Sequence, residues 1–138
     1  MNLVTDRTLE DVLSGNEKGV YSYTDLNRVE QAVANLCDLA RALDISLELD
    51  IKTDWQRTGG FSADTWPVKS QMERYLGNVA AVGKAFGLST PLPASMAELD
   101  YRGANQIENA LLQAWRRVVN VMGAFQYSGE LFAGEEIL

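Results

Sequence analysis

The sequence predicts a mainly α-helical protein: a three-helix bundle with a small β element beside it. Three long segments carry apolar residues at the spacing of a helix face, and a short segment between the first two alternates apolar and polar residues with period two. A chain of 138 residues is long enough to bury a core of its own. We therefore expect a short helical or leader segment over residues 1–18 and a single helical-bundle domain over residues 19–138.

The three predicted helices share one pattern, in which apolar residues recur at alternating steps of three and four. Such steps put the apolar side chains on one stripe of a helix. The alternation is also typical of helices that pack about 20° from parallel or antiparallel. The helices are expected over residues 24–43, 67–86 and 102–125. Their stripes are Leu26, Val29, Val33, Leu36, Ala40 and Leu43; Val68, Met72, Tyr75, Val79, Val82 and Phe86; and Ala104, Ile107, Leu111, Ala114, Val118, Val121 and Phe125.

The small β element is predicted directly after the first helix. Residues 45–52, with the sequence ISLELDIK, alternate apolar and polar side chains, which is typical of a half-buried strand. A strand needs a neighbour that satisfies its backbone N–H and C=O groups. The expected partner is residues 19–23 or residues 126–132, and the second of these contains a Ser-Gly turn signal.

The connector before the third helix leaves two arrangements open. It runs from Gly87 to Asp100 and contains Pro91 and Pro93, which exclude a helix there. In extended form it is longer than a 20-residue helix, which measures about 30 Å. The third helix can therefore start at the same end as the second, although an antiparallel bundle is the commoner arrangement.

The three helix starts share a further pattern. The segments YTDLNRVEQAV, WPVKSQMERYL and YRGANQIENAL each begin with an aromatic residue, followed by Asn or Ser and then by Glu at the same positions. We interpret this as helix-start chemistry, because the spacing is that of a capping box and Thr24 is a good N-cap. The alternatives are an internal repeat and, in a parallel bundle, three glutamates placed to share a cation. The repeated positions are Tyr23, Asn27 and Glu30; Trp66, Ser70 and Glu73; and Tyr101, Asn105 and Glu108.

Composition and charge argue against several classes of function. The net charge of −7 repels phosphates, so nucleic-acid binding is not expected. No apolar run has the length of a membrane span, and the first residues lack the apolar region of a secretory signal. The absence of histidine removes Ser-His-Asp and Cys-His catalysis and every His-containing metal site. Cys37, the single cysteine, is expected to be a small buried side chain.

Carboxylates remain as candidates for chemistry. Asp50, Asp54 and Asp64 lie in or beside a polar, Gly-rich segment that also contains Trp55 and Trp66. A glycosidase would need two carboxyl groups across a cleft, and a calcium site would need several oxygens converging from one loop. A solvated loop explains the same residues more simply. We therefore predict no catalytic residue, no metal ligand and no cofactor.

Five blocks of the sequence carry a resemblance to a known group of proteins. They are YSYTDLNRVEQAV, IKTDW, SQMERYLGNV, ANQIENALL and YSGELFAGE, in this order along most of the chain. Together they resemble a small helical domain of tail-region and minor structural proteins from phages and prophages of Gram-positive bacteria. That domain tends to end with a Tyr-Ser-Gly-Glu motif, found here at Tyr127 to Glu130. The resemblance implies a virion or prophage product and transfers no active site.

The sequence thus favours a non-enzymatic structural or interaction module, associated with a phage or prophage tail or baseplate. Its expected partners are other protein subunits, in a homo-oligomer or a virion assembly, with no nucleic acid and no membrane. Its expected location is the virion or the host cytoplasm. The alternative is a small glycan- or ligand-binding domain that uses the Trp55 loop. The candidate interaction surface consists of Asp54, Trp55, Tyr127, Glu130 and Phe132.

Overall fold

The computed structural model describes residues 2–56 and 68–131, with side chains up to Val121. Within these ranges, no helix is both long enough and apolar enough to cross a membrane. In chain order, the helices are α1 (Leu9–Ser14), a short 3₁₀ helix (Glu17–Gly19), α2 (Tyr23–Ala42), α3 (Lys69–Ala85) and α4 (Tyr101–Leu131).

The three long helices confirm that the protein is mainly helical. α2, α3 and α4 pack against one another in pairs and bury most of the predicted stripes. Val68 is an exception, since it precedes α3 and is exposed. Cys37 is buried, as expected. The core residues from the stripes are Leu26, Val29, Val33, Leu36 and Ala40 of α2; Tyr75, Val79, Val82 and the following Phe86 of α3; and Ile107, Leu111, Ala114 and Val118 of α4.

The three long helices start at the same end of the bundle. Arg74, in the second turn of α3, contacts Glu30 of α2, and Arg28 of α2 contacts Glu108 of α4. Arg28 and Arg74 are the sixth residues of their helices and Glu30 and Glu108 the eighth, so the starts of the three helices lie together. The helices therefore run in parallel, and each connector returns along the bundle before the next helix begins.

The ends of α2 and α3 turn the chain back toward this common end. Asp44 follows α2 with a φ of 60°, and Gly87 follows α3 with a φ of 70°. In both cases the next N–H bonds a carbonyl inside the helix, at 2.8 Å from Ile45 to Ala40 and at 2.8 Å from Leu88 to Gly83. The left-handed backbone at these two positions lets the following N–H groups bond the last carbonyls of each helix, and it reverses the direction of the chain.

The predicted β element is wrong for the described residues, none of which forms a strand. Residues 45–52 form neither a helix nor a strand. Residues 19–23 include the end of the 3₁₀ helix and the start of α2, and residues 126–131 belong to α4. Phe132, the last residue of the proposed partner, lies outside the described residues.

The period-two pattern nevertheless reports a real one-sided burial. Ile45, Leu47, Leu49 and Ile51 are half-buried against the core, while the residues between them are exposed. We call residues 45–55 the strap. Several backbone groups of the strap bond helix side chains instead of a second strand. Alternation therefore predicted the burial of one side correctly and the strand incorrectly.

The helices also start differently from the capping prediction. α2 begins at Tyr23 with Ser22, not Thr24, as its N-cap, and Asp25 accepts a hydrogen bond from the Ser22 N–H at 2.8 Å. At the start of α4, Asp100 accepts from the N–H of Gly103 at 2.8 Å. The Asn-x-x-Glu pairs of α2 and α4 lie further inside their helices, so they cannot cap them.

Candidate functional site

The first Asn-x-x-Glu pair fastens the strap to α2. The side-chain oxygen of Asn27 accepts from the N–H of Trp55 at 2.8 Å, and its amide nitrogen donates to the carbonyl of Trp55 at 2.7 Å. Glu30 Oε1 accepts from the N–H of Lys52 at 3.0 Å. We call Asn27 and Glu30 the α2 clamp. It supplies the bonds that a neighbouring strand would otherwise make.

The second pair, Asn105 and Glu108, repeats this arrangement and is named the α4 clamp. Asn105 accepts from the N–H of Arg7 and donates to its carbonyl, both at 3.0 Å. Glu108 Oε1 accepts from the N–H of Val4 at 3.0 Å. In both clamps, the residue bound by Glu lies three positions before the residue bound by Asn. The repeated sequence pattern thus has a shared tertiary role in α2 and α4.

The third helix does not continue the repeat. Ser70 and Glu73 are exposed, and within the described part of the chain the one ion pair of Glu73 is with Lys69, at 3.8 Å. α3 instead uses Arg74 and Asn78, each of which donates to the carbonyl of Asp50 at 2.7 Å.

The alternative in which Glu30, Glu73 and Glu108 lie at one level and share a cation is therefore wrong, because Glu30 and Glu108 are buried and Glu73 is exposed. Among the described residues, no three His, Cys, Asp or Glu side chains form a group that could hold a metal ion. Of the aromatic helix-start residues, Tyr23 is exposed and Tyr101 is half-buried. Trp66 lies outside the described residues.

Glu30 is neutralised by one arginine. The Glu30 side chain is 2% exposed, and Arg74 contacts both of its oxygens, with Nη1–Oε1 at 2.6 Å and Nη2–Oε2 at 3.2 Å. The indole N–H of Trp55 also donates to Oε2. Such a two-pronged contact matches the planar guanidinium to the carboxylate. The α2 clamp therefore carries no net charge once Arg74 is counted.

Glu108 lies in a larger ionic cluster with two arginines and a second carboxylate. Its side chain is fully buried and accepts from Arg28, with Nε–Oε1 at 2.6 Å and Nη2–Oε2 at 2.8 Å, and from Arg7. Asp25 contacts the same two arginines. The hydrogen bonds to Glu108 raise the pKa of Arg28 above its ordinary value. Two negative and two positive groups balance one another, which offsets the cost of burial.

Two tyrosines lie beside this cluster. The hydroxyl groups of Tyr21 and Tyr75 bond each other, and the Arg7 guanidinium lies 5.6 Å from the centre of the Tyr21 ring. Burial raises the pKa of both tyrosines. Every buried side-chain nitrogen and oxygen in the described residues has a hydrogen-bond partner. The polar interior is thus saturated by its own contacts.

The candidate interaction surface is only partly described. Asp54 is exposed, and its hydrogen bond with Lys52 lowers the pKa of its carboxyl. Trp55 is half-buried, and its ring lies 5.1 Å from the Lys52 ammonium. The structure makes Trp55 a part of the strap anchor. Tyr127 and Glu130 belong to α4 but their side chains, like the whole of Phe132, lie outside the described residues.

The sequence did not indicate the arginines that pair with the clamp glutamates or the two tyrosines beside them. Arg28 directly follows Asn27 and Arg74 directly follows Glu73, so both occur in the repeated pattern of the helix starts. Their positions in that pattern could have suggested a carboxylate partner on another helix. Arg7 and Tyr21 lie in segments without periodicity, so no sequence signal indicated that they are buried. Tyr75 belongs to the predicted apolar stripe of the second helix. Its hydroxyl group bonds that of Tyr21, which is too distant in sequence for a local pattern to indicate.

Comparisons with known proteins found no significant relative of this chain. No family model matches the chain, and there is no significant match among curated proteins or solved structures. No family is identified by this route.

Proposed function

We propose that this protein is a non-enzymatic structural and interaction module that acts through protein–protein contacts in a phage or prophage tail or baseplate assembly. The observation that carries this proposal is the use of its buried charged residues. Glu30, Glu108 and Asp25 are each paired with arginine, and both glutamates also hold backbone of the same chain. The buried charged side chains therefore hold segments of the same chain in place and stabilise the fold.

The same observation favours a role without catalysis. A general acid or base must reach the substrate within hydrogen-bond distance and exchange a proton with it. The side chains of Glu30 and Glu108 are 2% and 0% exposed, and arginine contacts both oxygens of each carboxylate. A substrate would have to displace these arginines and the strap or N-terminal segment before it could touch either carboxylate.

The exposed surface supports a role in contacts with other proteins. Four large apolar side chains are exposed to water, three of them in α1 and the fourth directly after the 3₁₀ helix. Contiguous exposed apolar side chains are typical of protein contact sites. These residues are Leu9 at 55%, Val12 at 39%, Leu13 at 79% and Val20 at 51% exposure.

The setting in a phage or prophage assembly is supported by the five sequence blocks. Two of these blocks contain the clamps, since YSYTDLNRVEQAV includes Asn27 and Glu30 and ANQIENALL includes Asn105 and Glu108. A third block, IKTDW, is the part of the strap that the α2 clamp holds. The resemblance therefore lies on residues that fix the fold. The indole N–H of Trp55 is bonded to Glu30, which argues against the alternative of a glycan-binding loop built on this ring.

Particle association tests this proposal. Particles released by the strain that encodes the protein are purified on a density gradient and probed with an antibody against the full chain. We expect the protein in the particle fraction in a fixed ratio to a known tail protein, with a cytosolic enzyme as the negative control. Detection in the lysate but not in the particles would overturn the proposed setting.

A further inference from the structure

Exposed apolar side chains are concentrated in one part of the described chain. Seven large apolar side chains are exposed among the described residues, and four of them lie between residues 9 and 20. The other three are spread over the three long helices and their starts. Leu9, Val12 and Leu13 are spaced three and four residues from the first, which puts them on one stripe of α1. Single exposed apolar residues are ordinary, but such a cluster is typical of a contact surface.

α1 is held in place without being buried. A helix of six residues is too short to be stable on its own, and none of its residues is buried. Thr8 and Asp11 form a capping box at its start. Asn16 donates to Asp11 at 2.8 Å, and a Cβ on Gly19 would overlap the Asp11 carbonyl, so the 3₁₀ helix packs closely against α1. The apolar stripe is therefore fixed in position and left uncovered by the rest of the described chain.

The stripe borders an open groove of about 370 Å³, which we call the α1 groove. Leu9 and Val12 line it from α1, and Leu99, Tyr101 and Ala104 line it from the start of α4 and the residue pair before it. A largely apolar lining cannot bond the backbone of an extended peptide, whereas a helix bonds its own backbone. The α1 groove therefore fits the apolar face of a helix.

The rim of the α1 groove is acidic. Two charged groups of its lining are already paired, since Arg7 belongs to the buried ionic cluster and Lys18 contacts Asp6 at 2.9 Å. Apart from buried Arg7, the segments 6–18 and 98–102 carry six carboxylates and two cations. They are Asp6, Glu10, Asp11, Glu17, Glu98 and Asp100, with Lys18 and Arg102. Complementary charge selects the partner at an interface, so this rim favours a cationic partner and disfavours an anionic lipid surface.

We propose that the α1 groove binds an amphipathic helix of another protein, whose apolar face packs against α1 and the start of α4 and whose lysine or arginine side chains lie over the acidic rim. Burial of the exposed stripe supplies the driving force, and the charges supply specificity. This inference rests on the proposed function and deepens it, since it names the chemistry of a partner that the interaction module meets.

Two synthetic helical peptides test the proposal by fluorescence anisotropy with the full-length protein. Both carry leucine at the same positions of one helix face, and the flanking positions are lysine in one peptide and glutamate in the other. We expect the lysine peptide to bind at least about tenfold more tightly, because several exposed charge pairs contribute together. Its affinity should fall as the salt concentration rises. Equal binding of the two peptides, or binding of neither, would overturn the proposal.

Two double variants locate the binding site. Leu9→Gln combined with Leu13→Gln removes the stripe and should weaken binding of the lysine peptide by about tenfold or more. Val68→Gln combined with Val119→Gln removes two apolar side chains that are 48% and 46% exposed elsewhere, and it should bind within about twofold of the wild type. All four side chains are exposed, so circular dichroism should show wild-type helix content in both variants. Equal affinities of the two variants would contradict binding in the α1 groove.

A charge reversal tests the acidic rim. Glu98→Lys, beside Leu99 of the lining, should weaken binding of the lysine peptide by about three- to fivefold. Glu48→Lys on the strap makes the same change of net charge at an exposed position and should stay within about twofold of the wild type. Equal effects would show that only the overall charge matters and would contradict the role of the rim.

A second copy of this chain is the competing occupant of the α1 groove. Light scattering at the concentrations of the binding assay distinguishes it: a dimer that the variant with Leu9→Gln and Leu13→Gln dissociates would overturn the proposal. The peptide assays use no particles. A protein found in particles that binds neither peptide would overturn only the groove proposal, and one that binds the lysine peptide but is absent from particles would overturn only the proposed setting.

Discussion

Glu30 and Glu73 occupy the same position of the repeated sequence pattern but opposite environments. Glu30→Gln removes the charge that balances Arg74 and weakens the bonds to Lys52 and Trp55. Breaking one partner of a buried ion pair costs about 3–5 kcal/mol. The Arg74 side chain keeps 15% exposure and a bond to a backbone carbonyl, so the expected cost is near the lower end, about 3 kcal/mol.

Glu73→Gln is the matched control, because it removes the same charge from the same pattern position. The Glu73 side chain is 66% exposed, and its contact with Lys69 is 3.8 Å long. We expect a change below about 0.5 kcal/mol. Urea unfolding followed by circular dichroism measures both variants. In a domain of this size, the Glu30 variant should also melt roughly 10 °C lower.

A double-mutant cycle identifies the cause of the Glu30 effect. If the loss comes from the unpaired guanidinium, the double variant Glu30→Gln, Arg74→Gln should be destabilised by much less than the sum of the two single changes. The coupling should be about 2–3 kcal/mol. Additive effects, or equal costs for Glu30→Gln and Glu73→Gln, would refute the buried clamp.

Three further predictions concern the strap and the tyrosine pair. Asn27→Ala leaves the partly buried N–H and C=O of Trp55 without their partner and should cost about 2 kcal/mol in urea unfolding. Asn35→Ala, on the exposed face of α2, should cost under about 0.5 kcal/mol. Trp55→Ala should destabilise by about 2–3 kcal/mol, because the ring packs against the core; a neutral effect would show that the strap is held without it. Burial raises the pKa of Tyr21 and Tyr75 in the folded protein, whereas in the unfolded chain both ionise at the ordinary value of about 10. Above pH 10 the unfolded chain therefore loses protons that the folded protein keeps, so the free energy of unfolding falls as the pH rises. Tyr21→Phe should therefore reduce the alkaline slope of the unfolding free energy by about 1.4 kcal/mol per pH unit. A difference in tyrosinate absorbance between the native wild-type protein and native Tyr21→Phe just above pH 10 would show that Tyr21 ionises in the folded state and would contradict this.

The helices could be predicted from sequence because one helix face determines one spacing of apolar residues. α2, α3 and α4 bury the residues that the steps of three and four indicate, with boundaries displaced by a few residues at α3 and α4. The parallel direction was left open, because the connector from Gly87 permits it without requiring it. The contact between Glu30 and Arg74 decides the direction, and periodicity carries no information on it.

The strap and the clamps show where local patterns become ambiguous. Alternation over residues 45–52 records burial on one side, whether the backbone is satisfied by a strand or by side chains. An Asn three residues before a Glu fits both a capping box and a clamp. The two differ only in which backbone lies within reach, and the segments held here are about 25 and 100 residues distant. Arg7, in a segment without periodicity, gave no signal.

Native-state hydrogen exchange tests the clamps most directly. The amides of Val4, Arg7, Lys52 and Trp55 lie outside every helix, and side chains of the two clamps are their hydrogen-bond partners. We expect all four to exchange at least about a hundredfold more slowly than the exposed neighbouring Thr53, in line with protection by buried structure. Exchange of the four amides at the rate of Thr53 would contradict the central claim that half-buried Asn and buried Glu side chains hold the non-helical segments of this fold.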